Sequence, residues 1–190
     1  MLSVLAGIFI GIAGRIYLNV GGVPGAILFA AGLIVILLFG LNLFTGKAGL
    51  MATCEIKFTE LCGIWCGNFI GTAIAATSLS SSQIEAAQRI VQARLAQDFG
   101  STLFYGFLCG LLMYAAVTGY KETKNIFVPA FCVAAFILCG GNHCVADMFY
   151  LHSGASNFTD YWILIPVTIG NFFGCVTIPA VKVIQKRYAF

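Results

Sequence analysis

Apolar residues gather into six long blocks separated by short polar turns, at roughly residues 2–18, 25–44, 61–79, 102–120, 126–150 and 161–184. Blocks of about 20 apolar residues are the length of a membrane-crossing helix. The pattern therefore predicts an all-α membrane protein of six transmembrane helices. The first block lacks a basic flank and a small-residue cleavage site, so it is read as a span, not a signal peptide. The turns leave little room for a soluble domain. A single transmembrane domain over residues 1–190 is the expectation.

Two blocks are interrupted by polar residues. "NLFTGKA" (42–48) falls in the second, and "NHCVADM" (142–148) falls in the fifth. Aligned on their asparagines, Gly46 lies over Ala146 and Lys47 over Asp147. The echo extends outward: "GIFIG" (7–11) matches "GFLCG" (106–110), and "GNFIG" (67–71) matches "GNFFG" (170–174). Three matched blocks in the same order predict an internal duplication, with repeats at about 1–80 and 101–190. An odd number of spans per repeat makes the second copy enter the membrane from the opposite side, giving inverted repeats. Helices 2 and 5 are then equivalent, and both are expected to be broken. Polar groups at membrane depth are costly unless they line a cavity or meet each other. Two interrupted spans in matching places point to a central substrate site. The glycines of the G-x-x-x-G spacings are read as packing residues.

Composition agrees with this reading. Of 190 residues, 60% are hydrophobic and 9% charged, against roughly 25% charged in a soluble domain. The net charge of +3 is small and gives no footing for a nucleic-acid partner. Its distribution is more informative. Lys57, Lys121, Lys124, Lys182, Lys186 and Arg187 fall on the side of the termini, and Arg15, Arg89 and Arg94 on the other; Lys47, inside a span, is not counted. That bias predicts both termini inside. Residues 81–100 read as an amphipathic interfacial helix opened by a Ser82-x-x-Glu85 capping box. The eight cysteines contain no C-x-x-C pair and are read as small apolar packing groups. No cofactor, metal site or enzymatic activity is expected.

Several motifs together resemble the formate/nitrite transporter family. "NLFTGKAGLM" is similar to the family's first broken-helix motif, E-L-F-T-G-N, and "GGNHCVADMFY" to its second, G-F-E-H-S-V-A-N-M-F. "LIPVTIGNFFG" resembles the last-span pattern, while "LCGIWCGNFIG" and "LFYGFLCG" resemble the third and fourth spans. The resemblance covers nearly the whole chain. It implies an aquaporin-like protomer, a homopentamer with one pore per subunit, and small monovalent anions as cargo. It also implies the bacterial cytoplasmic (inner) membrane with both termini cytoplasmic. His143 then corresponds to the central pore histidine and Thr45 to the threonine of the helix 2 break. Phe29 and Phe136 correspond to apolar constrictions, and Leu33, Leu43 and Met113 to other narrow points. Arg94 stands where the family has a lysine at the pore's outer mouth.

The chain departs from the family pattern around the pore. Asn42 and Asn142 replace glutamates, Lys47 and Asp147 replace asparagines, and Gly110 replaces an asparagine. An unpaired charge within the membrane costs at least about 2.5–3.5 kcal/mol, so Lys47 and Asp147 are expected to pair across the repeats. The expected chemistry is that Arg94 draws in an anion. Free N–H groups near Gly46 and Cys144 favour its charge. His143 hydrogen-bonds it or lends it a proton, and Thr45 orients it. The alternative for His143 is a buried structural histidine, and for Arg94 a solvated helix face. Protons and small weak-acid anions of the formate or nitrite class are the expected partners besides the lipid bilayer. A hydrosulfide or other short-acid channel remains open, as does, in another class, a cysteine-dependent membrane redox protein. A water channel is disfavoured by the lack of Asn-Pro-Ala repeats.

Overall fold

The computed structural model describes residues 1–188, so the last two residues of the expected domain lie outside the described residues. Nine α-helices are present among the described residues, and no strand. Three helical stretches are long and apolar enough to cross a membrane: Leu2–Val20, Phe99–Thr123 and Phe158–Tyr188. They contain α1 (Leu2–Val20), α6 (Phe99–Thr123) and α9 (Leu164–Tyr188). The third expected span is α4 (Phe58–Ala75), which ends before residue 79. Arg15 of α1 explains that end: its guanidinium donates to the carbonyls of Ala75, Thr77 and Ser78, supplying donors that the helix terminus lacks.

The two interrupted blocks fold as helix pairs. The second block gives α2 (Gly22–Leu38) and a five-residue α3 (Phe44–Ala48). The fifth gives α7 (Phe127–Leu138) and α8 (Cys144–Gly154). Both breaks begin with a glycine in the left-handed region, Gly40 (φ 63°) and Gly140 (φ 79°). A side chain with a Cβ is strained there. The chain then closes back on the helix it leaves: Leu41 N–H donates to Ile36 O at 2.9 Å, and Gly141 N–H to Phe136 O at 2.7 Å. This is the Schellman termination of a helix.

α1 packs on α4 and α2, α6 packs on α9 and α7, and α2 crosses α7. The glycines permit these contacts. A Cβ on Gly71 would overlap the carbonyl oxygen of Val4, and one on Gly174 that of Phe107. A Cβ on Gly7 would meet Asn68 O, and one on Gly110 would meet Asn171 O. The structural counterpart of Gly7 is thus Gly110, not Gly106, and that of Gly106 is Ser3. The sequence match of "GIFIG" with "GFLCG" is displaced by one helical turn. A four-residue slip keeps glycines of this spacing on one helix face, so the pattern cannot distinguish the two registers.

Between the halves lies α5 (Ser81–Leu95), packed on α8. Its cap is Ser80, not Ser82: Ser80 Oγ accepts from Gln83 N–H, and Gln83 Oε1 accepts from Ser80 N–H. Large apolar side chains such as Ile12, Phe104, Phe131, Ile165 and Phe173 are exposed on the outside. That suits a surface solvated by hydrocarbon.

Candidate functional site

Each break is held by one asparagine from the neighbouring long helix. Asn68 of α4 accepts the Phe44 N–H at 2.9 Å and donates to Asn42 O at 2.9 Å and Ser3 O at 2.7 Å. Asn171 of α9 accepts the Cys144 N–H at 2.8 Å and donates to Asn142 O at 2.7 Å and Gly106 O at 2.8 Å. Both asparagines are fully buried. One side chain thus ties together the break, the helix that follows it and the adjacent long helix. The Cys144 N–H expected to face an anion is therefore occupied. A free N–H at a helix start is costly when buried, and Asn171 removes that cost.

His143 and Thr45 meet where the two breaks come together. Nε2 of His143 lies 2.9 Å from Thr45 Oγ1, and Nδ1 lies 3.1 Å from Ala146 N. An amide donates only, so Nδ1 holds a lone pair and the ring's proton is on Nε2. The neutral ring caps α8 with one nitrogen and donates to Thr45 with the other. Phe136 stacks on the imidazole with centroids 5.7 Å apart, and Phe29 meets Phe136 edge-on at 6.4 Å. The single Sγ–H of Cys175 lies 3.3 Å from both Thr45 O and Gly110 O and is shared between them, so this thiol also touches the break. All eight cysteines are free.

Two cavities flank the meeting point. The first, of about 200 Å³, is lined by His143, Phe29, Phe136, Arg94, Asp147, Tyr17 and Tyr150, among others. The second, of about 110 Å³, is lined by Leu33, Leu43, Gly46, Lys47, Val117, Tyr120, Lys121 and Lys124, among others. Met113 is buried in the core and lines neither cavity. Asn42 serves through its carbonyl, while Asn142 donates through Nδ2 to Gln97 Oε1 at 2.8 Å.

The expected pair of Lys47 with Asp147 does not form. Asp147 faces Arg94 instead, with Nε 3.4 Å from Oδ1, and Lys47 lines the other cavity. The reason is topological: equivalent positions in the two breaks border different cavities, and α5 brings a cation to only one of them. Arg94 is not a solvated face residue. Its two terminal nitrogens donate to Gly140 O and Gly141 O, each at 3.1 Å.

A sequence profile described as formate/nitrite transporter matches residues 1–184. The chain belongs to the formate/nitrite transporter family. A formate-nitrite transporter from Entamoeba histolytica is 28% identical over 211 residues, covering 91% of this chain and 59% of that protein. This chain therefore spans 59% of that relative's length. The formate channel FocA of Haemophilus influenzae is 25% identical over 195 residues, covering 79% and 69% of the two chains. Among solved structures, a pentameric formate channel with formate bound has a TM-score of 0.80 at 23% identity, covering 98% of this chain and 95% of that one. An FNT family ion channel has a TM-score of 0.82 at 20% identity, covering 97% and 88%. These likenesses give the family and the fold.

Sequence reasoning did not single out Asn68, Asn171, Tyr17, Tyr150 or Gln97. For the asparagines a signal was present. "GNFIG" and "GNFFG" each place an asparagine within an apolar block at matching positions, and a buried polar side chain needs partners. The tyrosines carried no such mark, because tyrosine is common in any membrane helix.

Proposed function

We propose that this protein is a channel or transporter for small monovalent weak-acid anions, of the formate or nitrite class, across a membrane. The observation that carries the reading is the Thr45–His143 hydrogen bond, which joins two broken helices between two cavities. The relatives are called formate channels and formate-nitrite transporters, and membership of the family supports the same class of cargo here. The cavities are its two vestibules, and the paired break segments form the constriction between them. Phe29 and Phe136 guard His143 on one side, and Leu33 and Leu43 narrow the path on the other.

A bare anion is strongly disfavoured in such an apolar passage, whereas its conjugate acid is neutral. Proton-linked passage resolves this. In its neutral form His143 presents Nε2–H to whatever replaces Thr45 as its partner, and Thr45 offers a hydroxyl that accepts and donates. Together they guide a small oxygen-bearing solute past the aromatic rings. The reading extends to architecture. Matching asparagine clamps, matching left-handed glycines and matching glycine contacts support two inverted repeats of three spans, about 1–80 and 101–190, joined by the α5 segment. Both termini then lie on one side, inside by the charge bias, with a bacterial inner membrane as the setting. An exposed apolar groove of about 670 Å³ between α4 and α9, lined by Trp65, Phe69, Tyr161 and Phe172, supports self-association. A pentamer like that of the solved formate channel is the proposed assembly.

The test is flux into proteoliposomes of formate, nitrite, hydrosulfide, acetate and chloride at two pH values, for wild type and His143→Asn. Weak-acid species should pass and chloride should not, with His143→Asn conducting less than wild type at both pH values. If well-folded wild type passes none of them, the reading is wrong.

A further inference from the structure

Asp147 follows His143 by four residues, on the first turn of α8 and on the same helix face. It is buried, and neither of its carboxylate oxygens has a hydrogen-bond partner; nor does Arg94 Nε, 3.4 Å away. Buried polar groups in native proteins are nearly always paired. An acceptor left open at the wall of a cavity is therefore a place for a donor to dock. Arg94 cannot turn to fill it. Two of its nitrogens are committed to the carbonyls at the end of α7, so the guanidinium meets Asp147 only side-on.

The charges at this mouth cancel. Arg94 alone would give the first cavity a fixed positive charge and attract anions. Asp147 neutralises it within the same wall. The remaining ionisable groups facing the pair are Tyr17 from α1 and His143 and Tyr150 from α8, while α2 and α7 contribute the rings of Phe29 and Phe136. An anion in this cavity meets a carboxylate that repels it. Its conjugate acid carries an O–H or S–H that can donate to the open oxygen, and formic acid, nitrous acid and hydrogen sulfide share this feature.

We propose that Asp147 is a specificity-determining residue. It cancels the charge of Arg94 and accepts a hydrogen bond from the neutral acid, so this mouth takes the protonated form ahead of the anion. The inference rests on the weak-acid reading above and deepens it. No covalent step is involved, because the acid arrives already protonated from solution.

The experiment is formate flux into proteoliposomes at two pH values, with total formate adjusted so that formic acid is constant. Wild type, Asp147→Asn, Asp147→Glu, Arg94→Gln and the double Arg94→Gln/Asp147→Asn variant are compared, each with a melting temperature. Wild-type and Asp147→Glu flux should follow formic acid and stay level. In Asp147→Asn, where Arg94 is unopposed, flux at the higher pH should rise with formate, by roughly tenfold or more. Arg94→Gln should reduce formate flux below wild type, and the double variant should lie between the two. Wild-type flux that follows formate instead of formic acid overturns the inference. So does a shift of Asp147→Asn and Arg94→Gln in the same direction at preserved melting temperature, which marks a purely structural pair. Either result leaves the weak-acid reading intact. Wild type that moves neither formate, nitrite nor hydrosulfide removes both.

Discussion

The two broken helices share one backbone device and differ in chemistry. Both leave the helix at a left-handed glycine, Gly40 or Gly140, run three residues without helix, and restart under an asparagine clamp. At equivalent positions after the restart stand Lys47 and Asp147. Lys47 joins Lys121 and Lys124 around one cavity, whereas Asp147 meets Arg94 beside the other. One cavity is thus basic and the other internally neutralised. A scaffold can hold its shape through buried amide clamps while the charge in each cavity is set by whichever neighbouring helix reaches it.

The comparison breaks most severely at the clamps. Asn171→Ala orphans the Cys144 N–H and the Asn142 carbonyl, and takes the second donor from the Gly106 carbonyl. Each unpaired buried group costs about 1–3 kcal/mol. The variant should therefore lose most of its folded yield in detergent, or melt far below wild type. Asn68→Ala should be damaging but milder, because two of its three bonds, to Ser3 O and Asn42 O, are only partly buried. Equal melting temperatures for Asn68→Ala and wild type would show that the first break stands without its clamp.

Much of this scaffold was legible in the sequence. Six apolar blocks and two polar interruptions foretold the helices and their breaks, because membrane length and the cost of buried polar groups leave few other solutions. The matched motifs were legible too, but their register along α1 and α6 was not, since glycines four residues apart superpose after a one-turn slip. The Asp147 partner was hidden for a different reason. The matched motifs suggested Lys47, but Arg94 comes from α5, which contains none of those motifs. The tautomer of His143 was equally invisible, being fixed by an amide three residues on.

A smaller effect probes the contact between the halves. Thr45→Val keeps the shape of the side chain but removes the acceptor for His143 Nε2–H. A buried donor left alone costs about 1–3 kcal/mol, so the melting temperature should fall modestly while the protein stays folded. Formate flux should drop with it, because the passing solute loses a hydroxyl partner. Thr45→Ser should restore both. If Thr45→Val conducts as wild type does, the hydroxyl holds the breaks together and does not meet the cargo.

The smallest expected effect separates the two mouths by their response to salt. Lys121 and Lys124 are exposed, Lys47 is half-buried, and the Arg94–Asp147 pair is largely withdrawn from water. Exposed charges act at a distance that shrinks from about 10 Å at 0.1 M salt to about 3 Å at 1 M. If the basic mouth gathers anions, the double Lys121→Gln/Lys124→Gln variant should slow formate uptake about two- to threefold at low ionic strength, an on-rate effect. The difference from wild type should vanish near 1 M salt, within the Debye limit. Lys47→Gln should leave a deficit that salt does not erase, since a partly buried charge is screened less. A double variant whose flux matches wild type at every salt concentration would mean that the exposed lysines are bystanders. The functional asymmetry of the two mouths would then reside in Lys47 and Asp147 alone, which stand three residues after the restart of each broken helix with opposite charge.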